Sequence, residues 1–432
     1  MPGARGDNVH DALDGTDGHP GKMNIALYSH YFVPEIGAPS ARVYDTAMNW
    51  IGMGDQVEVV TCFPNHPTGQ IHDGYRSSRH ALEELDGIRV HRQWTYITPN
   101  KGLFKKTLGH LSFVPSAALT GSRQLRAPNV IIGTSPTLFA AQAAAFAARR
   151  YRVPFVMEVR DLWPGIFVEL GVLKSRVLIG LLERWEMSLY KQAHRVVTVT
   201  ERFRENLIER GIAANKVVTI TNGADTDFWT ESQARDDLRE KMQVEGKVVV
   251  LYIGAHGISQ GLRAILKAAE RLRSRSDIVF LFVGEGADKE ALVAFAAERG
   301  LHNVRFVDPV GKSEVRDFYA LADVGLVPLR DIAGFDAFIP SKMFEFLAMN
   351  RPVLGSVRGE AAEILERSGA AIVVKPEDDE AIAAGVVSFA EDSARRVAMG
   401  GAGRKFVCKE YSRTALAARY RQVLEAAVAE HR

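Results

Sequence analysis

A lysine and a glutamate near the start of one predicted helix have the chemistry to bind a phosphorylated ligand. The segment Pro340-Ser-Lys342-Met-Phe-Glu345 places the two side chains three residues apart, on one helical face. A cation at a helix start opposes the helix dipole, which favours a phosphate partner for Lys342 over a stabilising role. A carboxylate one turn further could accept two hydrogen bonds from ribose hydroxyls. The alternative interpretation is a surface ion pair.

Two glycine-containing loops could bring the backbone close to a phosphate. Gly254-Ala-His-Gly257 follows the apolar run VVVLYI and precedes a helix predicted to start near Ser259. The N-terminus of a helix offers unpaired N–H groups and a partial positive charge. Gly37-Ala-Pro-Ser has the same placement, with Arg42 one turn into the following helix. A tight turn without a ligand is the alternative for both loops, because short glycine motifs have low specificity.

Several other nucleotide and metal motifs are missing. Gly284 and Gly286 begin a G-x-G-x-x-G pattern, but Lys289 stands where the third glycine belongs, and no Walker pattern occurs. Both absences disfavour NAD dehydrogenases and P-loop NTPases. The sequence contains neither C-x-x-C nor H-E-x-x-H, so we expect no catalytic metal and no cofactor.

The elements that must position these residues alternate between strand and helix patterns. The first strand is predicted at 24–29, and short apolar strands then alternate with helices. Short, nearly continuous apolar strands indicate parallel sheets covered on both faces. The alternation restarts after the charged segment 228–246. The prediction is an α/β protein with two doubly wound, Rossmann-like domains (23–232 and 233–408) facing a central cleft, and a C-terminal helix (409–432) that packs back on the first domain.

Composition narrows the class of protein further. The 432 residues include 54 Lys+Arg and 52 Asp+Glu, and this near-neutral balance gives no support to nucleic-acid binding. No apolar run is long enough to span a bilayer. Two distant cysteines, Cys62 and Cys408, fit a reducing cytoplasm. Residues 1–22 are rich in Gly and Asp and predict a disordered leader, and Met23 is an alternative start.

Taken in order, six segments resemble the retaining glycosyltransferases of family 4, which have the GT-B fold. The resemblance covers about residues 23–420 and extends to a bacterial subgroup that builds surface polysaccharides and includes N-acetyl-L-fucosamine transferases. The segments that carry it are YFVPEIGAPSARV (31–43), EVRDLWPGI (158–166), ITNGADTDFW (220–229), LYIGAHGISQGL (251–262), FVGEGADKEAL (282–292) and FIPSKMFEFLAMNRPVLGS (338–356).

The resemblance implies roles for particular residues. Glu345 matches the second Glu of the family's Glu–seven residues–Glu motif, which binds the donor ribose. The first Glu falls on Ala337, so the adjacent Asp336 is the candidate for the donor-sugar contact. An Arg and a Lys that hold the diphosphate in many members fall on Ala255 and Gln260. With these two cations missing, we expect backbone N–H groups, Lys342 and Arg42 to neutralise the phosphates. The full set of predicted donor-binding residues is Gly37, Arg42, Asn222, Gly254, His256, Gly257, Glu285, Asp336, Ser341, Lys342 and Glu345.

An acceptor-side His of other family branches falls at or next to Arg160-Asp161, which gives these two residues as catalytic candidates. Asp161 would orient or deprotonate the acceptor hydroxyl, or cap the next turn. Asp225 and Asp227 form a D-x-D, the metal signature of a different glycosyltransferase fold. Its position inside the "NGxD" stretch instead favours a turn and helix cap.

The implied function is transfer of a sugar from a nucleotide-diphosphate donor to a hydroxyl acceptor. A UDP-sugar donor, with an N-acetylated hexosamine as one option, and retention of configuration follow from the resemblance, whereas the expected absence of a metal follows from the missing metal motifs. Preorganised N–H groups and cations would stabilise the leaving diphosphate. The alternatives are a UDP-sugar 2-epimerase of the same fold, a non-catalytic nucleotide-sugar-binding protein and, third, an NAD oxidoreductase.

Segment 101–114 has the pattern of a basic amphipathic helix. Its apolar residues recur roughly at helical spacing, three lysines lie beside them, and Trp94 and Tyr96 precede it. Such a helix can lie in the headgroup region of a membrane, although amphipathic helices more often pack on a core. The resemblance implies a lipid-linked glycan or another sugar acceptor, and a soluble natural-product acceptor is the alternative. We therefore expect a cytoplasmic enzyme, peripheral on the inner face of the membrane.

Overall fold

Two parallel β-sheets, each covered by helices, form the protein. The computed structural model describes residues 21–35, 37–66, 68–98, 103–135, 137–165, 173–230 and 235–431. Within these residues, eight strands form the sheet of the N-terminal domain and six form the sheet of the C-terminal domain. The predicted leader lies outside the described residues, apart from its last two positions.

The N-terminal sheet has the strand order β3-β4-β2-β1-β5-β6-β7-β8. Its central strand β1 pairs in parallel with both neighbours, so that Ile25 lies between Val57 and Val130. The strands are β1 (Asn24–Tyr28), β2 (Gln56–Cys62), β3 (His80–Leu85), β4 (Ile88–Gln93), β5 (Val130–Thr134), β6 (Phe155–Val159), β7 (Arg195–Thr198) and β8 (Val217–Thr219).

One edge strand departs from the predicted pattern. β3 pairs antiparallel with β4, and the sequence analysis did not predict it. The two strands are joined by Asp86-Gly87, whose φ angles are both positive (50° and 84°). Two such residues between strands form a hairpin turn, so this dipeptide was the available signal. Because β3 lies at the edge, the parallel order of the other strands is undisturbed.

Helices of the N-terminal domain present apolar stripes to this sheet. In α1, Val43, Ala47 and Trp50 are completely buried, as their spacing predicts. Pro39 lies in the first turn of this helix, where no backbone N–H is required. The helices are α1 (Ala38–Gly52), α2 (Leu103–Pro115), α3 (Leu138–Tyr151), α4 (Arg176–Gln192) and α5 (Glu201–Glu209).

The C-terminal sheet has the order β11-β10-β9-β12-β13-β14, and all its described pairs are parallel. Its strands are β9 (Val248–Ile253), β10 (Ile278–Val283), β11 (Val304–Val307), β12 (Val324–Pro328), β13 (Val353–Ser356) and β14 (Ala371–Val374). Its helices are α6 (Asp236–Met242), α7 (Leu262–Arg271), α8 (Lys289–Glu298), α9 (Lys312–Leu321), α10 (Lys342–Ala348), α11 (Glu360–Arg367), α12 (Asp379–Glu391) and α13 (Ser393–Glu410).

The last helix, α14 (Arg413–His431), returns to the N-terminal domain and packs on α1. Trp50 donates its indole N–H to the carbonyl of Ala417 at 3.0 Å. Arg421 and Asp55 form a buried ion pair with an Nε–Oδ2 distance of 2.6 Å. The end of the chain therefore forms part of the N-terminal core.

The structure also shows the surroundings of the two cysteines and the character of the helices. Cys62 is buried, Cys408 is exposed, and neither forms a disulfide. Among the helices of the described ranges, none combines the length and the apolar character that crossing a bilayer requires.

Candidate functional site

Lys342 is the cation best placed to meet a phosphate in the C-terminal domain. Its Nζ lies 3.8 Å from the centroid of the Tyr252 ring. A Cβ atom built on Gly254 would lie 3.0 Å from the same Nζ, so the ammonium group adjoins the glycine loop. Burial lowers the pKa of Lys342 to about 7, partly opposed by the charge of Glu345. An anion bound next to Lys342 would raise this pKa again, because a nearby negative charge favours the charged form of a lysine.

Glu345 lies one turn further along α10 and is held by a tyrosine. The Tyr319 hydroxyl donates a hydrogen bond to Oε2 of Glu345. Burial raises the pKa of the Glu345 carboxyl, and the Tyr319 hydrogen bond, Arg413 and Lys342 oppose that shift. The sequence analysis placed Lys342 and Glu345 on one helical face from their spacing alone. In the structure both lie on α10, with Lys342 next to the glycine loop.

The loop that follows β9 packs backbone to backbone on the loop that follows β10. Gly254 has a φ of 133°, and a Cβ on Gly284 would come within 2.0 Å of the Gly254 carbonyl oxygen. His256 donates its backbone N–H to the carbonyl of Glu285 at 2.8 Å, and its side chain is buried. Gly257 continues the same loop. Only glycine at position 284 permits this close approach to the Gly254 carbonyl. The two loops packed in this way form the surface beside Lys342.

The helix predicted to start near Ser259 begins later. Ile258–Gln260 form one 3-10 turn, Gly261 takes a left-handed φ of 60°, and the α-helix starts at Leu262. The predicted start near Ser259 therefore falls in the 3-10 turn, and the α-helix itself starts three residues later, after Gly261 has redirected the chain.

Arg42 and Arg160 converge on one buried carboxylate that the sequence analysis did not single out. Nη1 of Arg42 donates to both carboxylate oxygens of Glu158, at 2.8 and 2.7 Å, and Nη2 donates to Thr134. Nη1 of Arg160 lies 3.8 Å from the same carboxylate. Arg42 is thus fixed by Glu158, while its contact with a diphosphate stays a prediction. Gly37 is exposed just before α1.

Arg160, Asp161 and Asn222 lie together beyond the end of β6. The Arg160 guanidinium donates to Oδ1 of Asn222, and its backbone N–H donates to Ser135 at 2.7 Å. Burial lowers the pKa of Arg160 to about 9. Burial also raises the pKa of Asp161, against the pull of Arg160 and Arg42. A carboxyl with a raised pKa next to cations is suited to exchanging a proton with a hydroxyl.

Two of the three remaining predicted donor residues have protein partners. Asp336 accepts a hydrogen bond from Nε of Arg358. Glu285 is exposed and accepts from Lys289 at 3.0 Å. Ser341 occupies the turn before α10. The roles of Asp336, Glu285 and Ser341 toward a donor stay predictions.

Sequence reasoning missed the residues that hold the predicted ones in place. Tyr252 lies two residues before Gly254, which was a weak signal. Glu158 begins the segment 158–166 that carries the resemblance and lies two residues before Arg160, which was an available signal. Tyr319 and Arg358 come from distant segments, and no motif marks them.

The predicted membrane segment is only partly described. Lys101, and the side chains of 103–106, lie outside the described residues. Further along α2, Leu108 and Leu111 are 40% and 52% exposed, and Trp94 and Tyr96 nearby are exposed to a similar degree. The described part of segment 101–114 therefore exposes apolar side chains, as do Trp94 and Tyr96 before it.

Two family models match the chain one after the other. The glycosyl transferase 4-like domain matches residues 37–223, and glycosyl transferases group 1 matches residues 247–392. Together they cover both Rossmann-like domains. The chain belongs to the GT-B glycosyltransferases.

Curated relatives of this glycosyltransferase are distant but extend over most of its length. The putative colanic acid biosynthesis glycosyl transferase WcaI of Escherichia coli is 28% identical over 375 residues, covering 84% of this chain and 91% of that protein. The probable glycosyltransferase WbjE of Pseudomonas aeruginosa is 27% identical over 307 residues, covering 70% and 75%.

Solved structures share the fold at low identity. Sucrose-phosphate synthase from Thermosynechococcus elongatus gives a TM-score of 0.71 at 18% identity, covering 94% of this chain and all of that one. Anabaena HepE in complex with UDP-glucose gives 0.68 at 16% identity, with the same coverage. These similarities establish the two-domain GT-B architecture.

Proposed function

We propose that this glycosyltransferase transfers a sugar from a UDP-sugar to a hydroxyl group of a glycan acceptor, with retention and without a metal ion. The observation that carries the proposal is the arrangement of Lys342 and Glu345 beside the Gly254 loop. HepE, of the same fold, was solved with UDP and with UDP-glucose, which supports a nucleotide-sugar donor.

Lys342 and the backbone of the glycine loops would stabilise the leaving diphosphate. Negative charge grows on that group in the transition state, and preorganised donors are most effective there. Glu345, oriented by Tyr319, would accept hydrogen bonds from the ribose hydroxyls. Arg42, fixed by Glu158, would face the diphosphate from the N-terminal domain.

Asp161 would orient the attacking hydroxyl. In retention, the acceptor attacks the face from which the diphosphate leaves, and the leaving phosphate takes the acceptor proton. The raised pKa of Asp161 fits a carboxyl near a hydroxyl in a site with little water. Arg160 would hold Asp161 and the Asn222 loop in position.

The acceptor is proposed to be a lipid-linked glycan of a surface polysaccharide. WcaI, a putative colanic acid biosynthesis glycosyl transferase, and TuaH from Bacillus subtilis, a putative teichuronic acid biosynthesis glycosyltransferase, support a role in polysaccharide biosynthesis. Leu108 and Leu111, which are exposed within the basic amphipathic segment 101–114, support contact with the cytoplasmic face of a membrane.

The experiment is a donor screen followed by product analysis. The purified enzyme is incubated with UDP-glucose, UDP-N-acetylglucosamine or GDP-mannose in EDTA, with and without octyl glycosides as acceptors, and products are read by proton NMR. We expect transfer from a UDP-sugar and an anomeric coupling that matches the donor. Epimerised donor without transfer, or an inverted linkage, would contradict the proposal.

A further inference from the structure

A cavity of about 370 Å³ lies between the two domains, beside the loop that follows Asp161. One wall consists of Leu162–Gly165, with α4 and α5 of the N-terminal domain next to it. The opposite wall is 334–338 of the C-terminal domain, which includes Asp336. The volume is within the range of about 300–1,000 Å³ that is typical of small-molecule sites. The candidate sugar contact Asp336 therefore lines the cavity, and the lining begins one residue after the candidate acceptor-orienting Asp161.

Helix α5 lines the cavity with Arg202, Phe203 and Asn206, which are called the α5 wall here. This wall carries hydrogen-bonding groups that have no partner in the surrounding protein. Asn206 lines the cavity, and its buried Oδ1 has no hydrogen-bond partner among the residues that the structure describes. The same holds, within those residues, for the buried Nε of Arg202. Buried polar atoms are normally paired, and an unpaired one is destabilising. Two of them in one wall point to a polar ligand that supplies the missing partners.

Aromatic and acidic side chains complete the lining. Trp163, Phe203 and Phe338 contribute rings, with the last two in edge-to-face contact at 6.4 Å. Glu186 is completely buried and accepts hydrogen bonds from Tyr190, at 2.7 Å, and from Arg210. Rings beside amides, guanidinium groups and carboxylates suit a ligand with apolar faces and polar edges, which is the chemistry of a pyranose ring.

The C-terminal domain holds the α5 wall in place. Glu360 accepts the backbone N–H groups of Glu201 and Arg202, at 3.0 and 3.2 Å, and so caps α5 across the domain boundary. Arg202 also donates to Glu363 at 2.9 Å. Because each domain contributes a wall, the cavity depends on the approach of the two domains.

We propose that this interdomain cavity binds a sugar ring of the acceptor and that Asn206 is a residue that determines acceptor specificity. The inference rests on the proposed transfer reaction and adds to it the place and the chemistry of acceptor recognition. The bound ring would lie beside Asp161, and its hydroxyls would pair with the amide of Asn206 and the polar groups of α4 and α5.

The test uses the full-length enzyme saturated with UDP and a panel of octyl glycosides of glucose, galactose, mannose and N-acetylglucosamine. Binding is measured by saturation-transfer NMR for the wild type, Asn206→Leu and Asn215→Leu. The third protein is a matched control, because Asn215 is exposed and does not line the cavity. We expect a glycoside to bind, Asn206→Leu to weaken it about three- to tenfold, and the control to leave it unchanged.

The inference also predicts what Asn206→Leu leaves intact. The melting temperature should stay or rise, because the variant removes an unpaired buried acceptor, and UDP should bind as in the wild type. A glycoside that binds both proteins equally, or a wild type that binds UDP but none of the panel, would refute the inference alone. Failure of the wild type to bind UDP would instead refute the proposed donor. Weaker binding of UDP-glucose relative to UDP in Asn206→Leu would place the donor sugar in the cavity and overturn the acceptor assignment.

Discussion

The affinity for a UDP-sugar should fall as the pH rises through 7, because Lys342 loses its proton there. Burial brings the pKa of Lys342 to about 7 in the free enzyme. Only the charged ammonium attracts the diphosphate, so binding takes up a proton and restores the charged form. The diphosphate of a UDP-sugar carries no group that titrates between pH 6 and 8, so the change reports the protein.

The magnitude follows from the fraction of charged lysine. With a pKa of about 7, about nine-tenths of the side chain is charged at pH 6 and about one-tenth at pH 8. The apparent dissociation constant scales inversely with that fraction, so it should rise about tenfold over the two pH units. That change corresponds to about 1.4 kcal/mol.

The assay is isothermal titration calorimetry with UDP-glucose at pH 6, 7 and 8, in buffers of two ionisation enthalpies to count protons. At pH 7 we expect uptake of about half a proton per ligand. Lys342→Met should bind weakly with little dependence on pH, and uridine should bind the wild type equally across the range. Equal affinity of the wild type at pH 6 and 8, or the same pH dependence in Lys342→Met, would refute the reasoning.

Three further predictions concern other parts of the molecule. Glu345→Ala should weaken UDP binding and strongly reduce turnover with an unchanged circular dichroism spectrum, whereas wild-type kinetics would exclude the ribose contact. Replacing the three lysines of segment 101–114 by Gln should release the enzyme from anionic vesicles in co-sedimentation at low salt, and a wild type that ignores those vesicles would contradict the membrane contact. Arg421→Met strands the buried carboxylate of Asp55 and should lower the free energy of unfolding in urea by about 3–5 kcal/mol; a loss below 1 kcal/mol would show that α14 contributes little to the N-terminal core.

The fold could be predicted because its signals are local. Strand and helix patterns alternate along the chain, and the burial of Val43, Ala47 and Trp50 follows from helical spacing alone. The edge strand β3 was missed because its alternating pattern is half polar, and only the Asp86-Gly87 turn marks it. The late start of α7 was missed because the conformation of Gly261 depends on its surroundings.

The candidate site was predictable only where its residues are close in sequence. Lys342 and Glu345 lie on one helix, so their shared face could be read from their spacing. Glu158 is close in sequence to Arg160, but its pairing with Arg42 arises only when the sheet brings β6 next to α1. Tyr319 likewise reaches Glu345 from another helix, and a single sequence carries no signal of such contacts. The interdomain cavity, with Asn206 in one wall and Phe338 in the other, exists only once both domains are in place.

A crystal structure of the enzyme with UDP tests the central claim most directly, because it locates the nucleotide against named atoms. The account predicts both ribose hydroxyls within hydrogen-bond distance of the Glu345 carboxylate, and the diphosphate between the Gly254 loop and the Lys342 ammonium group. UDP bound elsewhere, or with its ribose away from Glu345 and its phosphates away from Lys342, would contradict the account.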